Sequence, residues 1–204
     1  GKWFHERSVY FTYEHGGRGA FSAPPAPAFD RAALPRTLKK LEDGGAVKIA
    51  LYGDSISAGA NASAKGFIPP YLPSWGALAM QAVRAAYPKA ALSYFNAALG
   101  GTSLKWGLDH VDTHIVPEAP DLVILAFGMN GADAPEKRSE MLTALMGKLT
   151  ARAPGTEFIL VTPMQPNALW RPLEPHSRYA ASDAALAAPG VAAVDVWNFH
   201  GALL

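Results

Sequence analysis

The sequence predicts an α/β domain built on one parallel β-sheet, and three observations carry that reading. Five short runs of apolar, β-branched or aromatic residues recur along the chain. Segments of helical length, amphipathic or Ala-rich, separate them. The third observation is the run Asp121-Leu-Val-Ile-Leu-Ala-Phe127, apolar throughout, as a strand covered on both faces has to be. Strands alternating with helices imply βαβ units, and right-handed crossovers then place the strands parallel in one sheet. The expected architecture is a three-layer α/β/α sandwich around a five-stranded parallel sheet.

Element by element, residues 1–30 read as the tail of a preceding β-rich module and a linker. Ser8–Tyr13 is aromatic and β-branched, a strand pattern, and Gly16-Gly-Arg-Gly19 with Pro24-Pro-Ala-Pro27 breaks regular structure after it. Residues 31–204 form the main domain. Leu34–Leu41 reads as a short helix that ends at Gly44-Gly45, and Val47–Tyr52 as the first strand. A helix follows over Ser74–Tyr87, with Ser74 at its N-cap and Pro88 stopping it. Leu92–Asn96 is the second strand, Ser103–Ile115 a helix and Asp121–Phe127 the third strand. Glu136–Arg152 is a helix, Glu157–Thr162 the fourth strand, Ser177–Ala188 a helix and Val191–Trp197 the fifth strand. A doubly wound domain ordinarily closes with a helix over its last strand, and no such pattern follows Trp197. The expectation is that a C-terminal segment is missing from the domain and is supplied elsewhere, by a companion polypeptide.

Composition narrows the function classes. The chain has 204 residues, enough for one α/β domain with a sizeable core. Half of them are hydrophobic, 17% are charged, and the net charge is +1. No run of one sign argues for nucleic acid or an anionic membrane as a partner. The absence of cysteine excludes disulfides and thiolate metal sites. No apolar run is long enough for a membrane span, and no signal peptide is visible. The compartment is left open, with a secreted or periplasmic one preferred.

Three strand ends carry the chemistry. Leu51-Tyr-Gly-Asp-Ser-Ile-Ser-Ala-Gly-Ala60 places Ser55 just past the first strand. Ligands of open α/β sheets bind outside the carboxyl ends of the strands. A serine there is a nucleophile if a base reaches it and backbone N–H groups hold the oxyanion. The plainer reading is a serine that caps the next helix while Asp54 fixes the turn, and Ser57 reads as such a capping group. Asn96-Ala-Ala-Leu-Gly-Gly-Thr-Ser103 ends the second strand with two glycines that let backbone approach a ligand closely. Phe127-Gly-Met-Asn-Gly131 ends the third strand, where Asn130 taken alone is an ordinary turn residue. Together the three blocks put Ser, Gly and Asn on one edge of one sheet.

These blocks resemble those of the SGNH hydrolase superfamily, the GDSL-type esterases. The resemblance runs from about Val47 to Trp197 and includes Val161-Thr-Pro163 after the fourth strand. It implies a flavodoxin-like SGNH fold and hydrolysis of a carboxylic ester through a Ser55 acyl-enzyme, with no cofactor and no metal. It places the oxyanion hole on the N–H groups of Ser55 and Gly101 and the side-chain amide of Asn130. Counting from Asn96 selects Gly101 over Gly100. Where the family often has Asp after the asparagine, this chain has Gly131.

The family's base is the histidine of an Asp-x-x-His block after the last strand, which deprotonates the serine while the aspartate orients it. None of the six histidines, His5, His15, His110, His114, His176 and His200, has an aspartate three residues before it. His200, with Asp195 five residues earlier, is the fallback within the chain. His176 sits in a Pro-rich loop and reads as a surface residue. His110 and His114 flank Asp112 at metal-binding spacing but lack a third ligand, and read as a solvated helix face. The expectation is therefore a base outside residues 1–204, on the segment that also supplies the missing helix. Tyr71, Trp75, Trp106 and Trp170 stand in or beside loops where they shape an acyl or sugar pocket, although core packing is the commoner use of Trp. Relatives with a β-rich N-terminal module point to a short acyl group, such as acetyl, on a carbohydrate.

Two rivals come from other classes. A catalytically degenerate relative would bind a sugar or lipid without cleaving it, as the absent Asp-x-x-His block suggests. A nucleotide-binding α/β domain is disfavoured, because no G-x-G-x-x-G follows a strand and no Lys follows Gly53–Gly59 at P-loop spacing.

Overall fold

The computed structural model describes residue 16, residues 30–166, residue 169 and residues 173–202. The strand expected at Ser8–Tyr13, the linker reading of the N-terminal residues, His5, His15 and Trp170 lie outside the described residues. The elements run α1 (Pro35–Glu42), β1 (Ala46–Gly53), α2 (Trp75–Ala86), β2 (Ala91–Asn96), α3 (Leu104–His114), β3 (Leu122–Ala126), α4 (Pro135–Arg152), β4 (Glu157–Val161), α5 (Tyr179–Ala184), β5 (Val191–Val194) and α6 (Val196–Gly201).

All five strands are parallel, in the order β2-β1-β3-β4-β5. The chain leaves β1 toward β2 on one side and returns to β3 on the other, so a topological switch point lies at the carboxyl end of β1. The register brings the ends of β1, β2 and β3 level, with Leu51 beside Asn96 and Gly53 beside Ala126.

Alternation along the strands sorts side chains into two cores. Ala50, Tyr52, Val123, Leu125, Phe158 and Leu160 meet Leu104 and Val111 of α3 and Met141, Leu145 and Leu149 of α4. On the opposite face Val47, Ile49, Leu51, Leu122 and Ile124 meet Leu38 and Leu41 of α1 and Met80 of α2. The central strands β1 and β3 are buried on both faces, which is why those runs read as unbroken apolar ones rather than alternating.

Local chemistry sets the element ends. Ser103 Oγ caps α3 by accepting from Trp106 N at 3.2 Å, whereas Ser74 occupies the N-cap of α2 without a side-chain bond. The helix expected over Ser177–Ala188 divides into a 3-10 turn, His176–Arg178, and the short α5.

The expectation that no helix follows the fifth strand is corrected. β5 stops at Val194, and Val196–Gly201 forms α6. The β-branched run Val194-Asp-Val-Trp197 has strand propensity, but Asp195 acts as an N-cap, its Oδ1 accepting from Asn198 N at 2.9 Å. Trp197 is buried, and its N–H donates to Thr162 Oγ1 at 3.0 Å. Capping and burial of a large aromatic outweigh strand propensity here. At about 9 Å, six residues of helix are too short to roof the sheet. An apolar trough of about 760 Å³ remains on the α1/α2 face, lined by Leu38, Ile124, Ile159, Val161, Val194 and Phe199 among others.

Candidate active site

The site is built from the loops after β1, β2 and β3. At the end of β1 the chain turns where only glycine fits, since a Cβ on Gly53 would stand 2.4 Å from Ala126 O and 2.7 Å from Ser57 Oγ. Asp54 is buried beneath the turn. Its Oδ1 accepts from Ile56 N and its Oδ2 from Met129 N, both at 3.0 Å. Burial pushes the Asp54 carboxyl above the ordinary aspartate range, against the opposing pull of these N–H groups, that of Gly128 and the charge of Arg138. Ser55 O and Asp54 O accept from Ala60 N and Ala58 N at 2.9 Å, winding the segment into a helical turn.

The two serines of the turn differ in setting. Ser57 is buried and turned toward β3, with Oγ 3.5 Å from Ala126 O. Ser55 is half-buried, and its Oγ has no hydrogen-bond partner among the described residues.

The β2 loop is bound to that turn by residues whose role the sequence reading missed. Asn96 Nδ2 donates to Ser57 O at 2.7 Å, and Asn96 Oδ1 accepts from Ala98 N at 3.0 Å. Leu99 N donates to Gly53 O at 3.0 Å, and Thr102 Oγ1 donates to Leu99 O at 2.7 Å. The signal was present, because an Asn followed by Ala-Ala at a strand end is a local turn former. The loop brings Gly100 against the serine, where a Cβ on Gly100 would stand 3.7 Å from Ser55 Cβ. Gly101 follows at φ +82°, a conformation suited to glycine, with open space where its Cβ would be. The Gly100–Gly101 peptide therefore passes beside Ser55.

Asn130 completes the set from the β3 loop. Its Nδ2 donates to Thr102 O at 3.0 Å, which orients the amide toward the β2 loop and leaves it a second hydrogen to donate.

The histidines distribute differently from expectation. His176 is not a surface residue. It is 5% exposed, packed between Tyr179 and Trp197, and its Nε2 lies 3.0 Å from Gly131 O. His110 stacks on Trp106, with ring centroids 4.3 Å apart, and His114 sits one turn further along α3. Among the described residues no group of three metal-ligating side chains gathers anywhere. His200 lines the trough that also reaches Asp54, Ser57 and Gly128, and its buried Nδ1 has no partner among the described residues. Asp195 does not orient it, because Asn198 engages both carboxylate oxygens, at 2.9 and 2.6 Å. Of the aromatics, Trp75 lines the trough, Trp106 packs near Tyr52, and Tyr71 is 58% exposed.

Comparison with known proteins gives a consistent result. The family model described as the GDSL-like lipase/acylhydrolase family matches residues 51–203. A two-domain esterase active on acetylated mannans aligns at 20% identity with a TM-score of 0.64, covering 85% of this chain and 44% of that one. This chain thus spans less than half the length of that protein. Axe2, an acetylxylan esterase from Geobacillus stearothermophilus, aligns at 18% identity and TM-score 0.59, covering 77% of this chain and 80% of its own. LAE5, an alpha/beta hydrolase enzyme from the metagenome of Lake Arreo, Spain, aligns at 22% and 0.57 with the same coverages. At these identities the likeness is one of fold. No curated protein sequence matches the chain.

Proposed function

Because the chain belongs to the GDSL-like lipase/acylhydrolase family, a family of ester hydrolases, we propose that it is a serine esterase with Ser55 as nucleophile. The observation that carries this reading is the half-buried Ser55, its Oγ unpartnered among the described residues, set between the Gly100–Gly101 peptide and the loop of Asn130. Ser55 Oγ adds to the ester carbonyl as a histidine takes its proton. The N–H groups of Ser55 and Gly101 and the amide of Asn130 stabilise the tetrahedral oxyanion. Collapse expels the alcohol, which takes the proton back, and water then hydrolyses the acyl-enzyme by the same steps.

The substrate of this proposal is a short acyl group, such as acetyl, on a carbohydrate. Its support is the fold likeness to esterases named for acetylated mannan and acetylxylan. The base of the proposal comes from a companion segment seated in the apolar trough. Its support is that no described histidine hydrogen-bonds Ser55. The same observation also fits a non-catalytic sugar- or lipid-binding module. A fluorophosphonate probe applied to the full-length gene product separates the two. Labelling mapped to Ser55 is expected. Labelling at Ser57, or none on a folded protein, overturns the esterase reading and leaves the binding module.

A further inference from the structure

The loop that carries Asn130 is held from behind by side chains that the catalytic reading does not use. Three of its backbone carbonyls accept buried or part-buried hydrogen bonds. Arg138 Nη1 of α4 donates to Phe127 O at 2.9 Å. His176 of the 3-10 turn, with Nε2 3.0 Å from Gly131 O, donates there, since a carbonyl only accepts. Tyr179 OH of α5 donates to Asp133 O at 2.7 Å. The three donors are packed on one another. The Arg138 guanidinium lies 4.6 Å from the centre of the Tyr179 ring, and the His176 and Tyr179 rings are 5.1 Å apart. Asp183 locks the assembly, its two oxygens meeting Arg138 Nε at 2.8 Å and Nη2 at 2.7 Å, with both side chains buried. From the other side, Asp54 Oδ2 holds Met129 N and Thr102 O holds the Asn130 amide.

Carbonyls on both sides of Asn130 are thus fixed, although the loop contains two glycines in the left-handed region, Gly128 at φ +149° and Gly131 at φ +110°. Glycines make such a segment intrinsically loose. A hydrogen-bond donor to a developing oxyanion acts only when its position is preorganised, and small misplacements of catalytic groups are costly. We propose that His176, Tyr179 and the Arg138–Asp183 pair are positioning residues, a clamp on three carbonyls of the Phe127–Asp133 loop that holds the Asn130 amide where the oxyanion forms.

The proposal rests on the esterase reading and assigns these residues a role through Asn130 alone. The test is a double-mutant cycle in the active full-length protein, on a short-chain aryl ester. Tyr179→Phe and His176→Ala are each expected to lower kcat roughly 10- to 100-fold, with KM within about twofold. His176→Gln, which retains an amide donor for Gly131 O, is expected to recover most of the loss. In an Asn130→Ala background the same substitutions are expected to leave kcat unchanged, because the group they position is gone. Equal fold-losses in both backgrounds overturn the clamp and leave a merely structural role, as does an unchanged kcat in the single variants. If Asn130→Ala itself retains normal kcat, the oxyanion assignment fails first, and the clamp with it, which distinguishes the two failures. Melting temperatures identify any variant that does not fold, and the cycle is then read from the remaining substitution.

Discussion

Asp54 Oδ2 accepts the Met129 N–H at 3.0 Å, so one buried carboxylate joins the Ser55 turn to the Asn130 loop. The same group accepts from Ile56 N on its own turn. Two strand-end loops, after β1 and β3, are therefore aligned by one side chain.

That role makes stability depend on pH in a defined sense. Burial is the dominant influence on Asp54 and holds its native value above the ordinary 3.8. The native state then binds the proton more tightly than the unfolded chain. Asp54 adds stability below the ordinary value, and this is lost as pH rises through the raised native value. Asp54→Asn removes the titration and adds a constant cost, since its NH2 group faces an N–H donor. The melting temperature of the variant minus that of the wild type should increase with pH across that window and be flat above it. A difference that does not change with pH would mean that burial does not dominate.

Gly53→Ala should reach both the fold and the site. The added Cβ meets the Ala126 carbonyl of the neighbouring strand at 2.4 Å, and backbone cannot swing aside as a side chain does. Overpacking of this kind costs about 1–3 kcal/mol. Denaturant midpoints measure the loss, and the rate of fluorophosphonate labelling at Ser55 should fall with it. Wild-type stability would place the clash in error.

Asn130→Ala should lower kcat roughly 10²–10³-fold with KM little changed, the scale for one lost oxyanion donor. Steady-state kinetics on an aryl ester decide this. A near-normal kcat would reduce Asn130 to a turn residue.

Asp183→Ala strands the buried Arg138 charge and should destabilise by about 3–5 kcal/mol. Replacing both partners with apolar residues, Arg138→Met with Asp183→Leu, should recover part of that loss, because no buried charge remains unpaired. Chemical denaturation of the three proteins tests the ordering. A double variant less stable than Asp183→Ala would contradict it.

Much of the architecture was legible in the chain because its signals are local. The apolar runs from Val47, Leu122 and Glu157 are strands, and Ser103 marks a helix start as its chemistry requires. Ser55, the Gly100–Gly101 pair and Asn130 stand at three strand ends, and a parallel sheet brings successive strand ends to one edge. The fifth strand was read too long because Val194, Val196 and Trp197 carry strand propensity, while the deciding cap and the Thr162 contact come from side chains.

The sequence by itself determined the order of strands and helices and the three blocks at the strand ends, since periodicity, caps and turn chemistry act over a few neighbouring residues. Only the tertiary structure decided which distant groups meet. Arg138 and Asp183 are 45 positions apart, as are His176 and Gly131, and Asp54 and Met129 are 75 apart. Nothing in a Pro-rich loop marks His176 as buried. Those pairings follow from how the helices pack on the sheet, where burial makes each polar group take whichever partner the packing brings within reach.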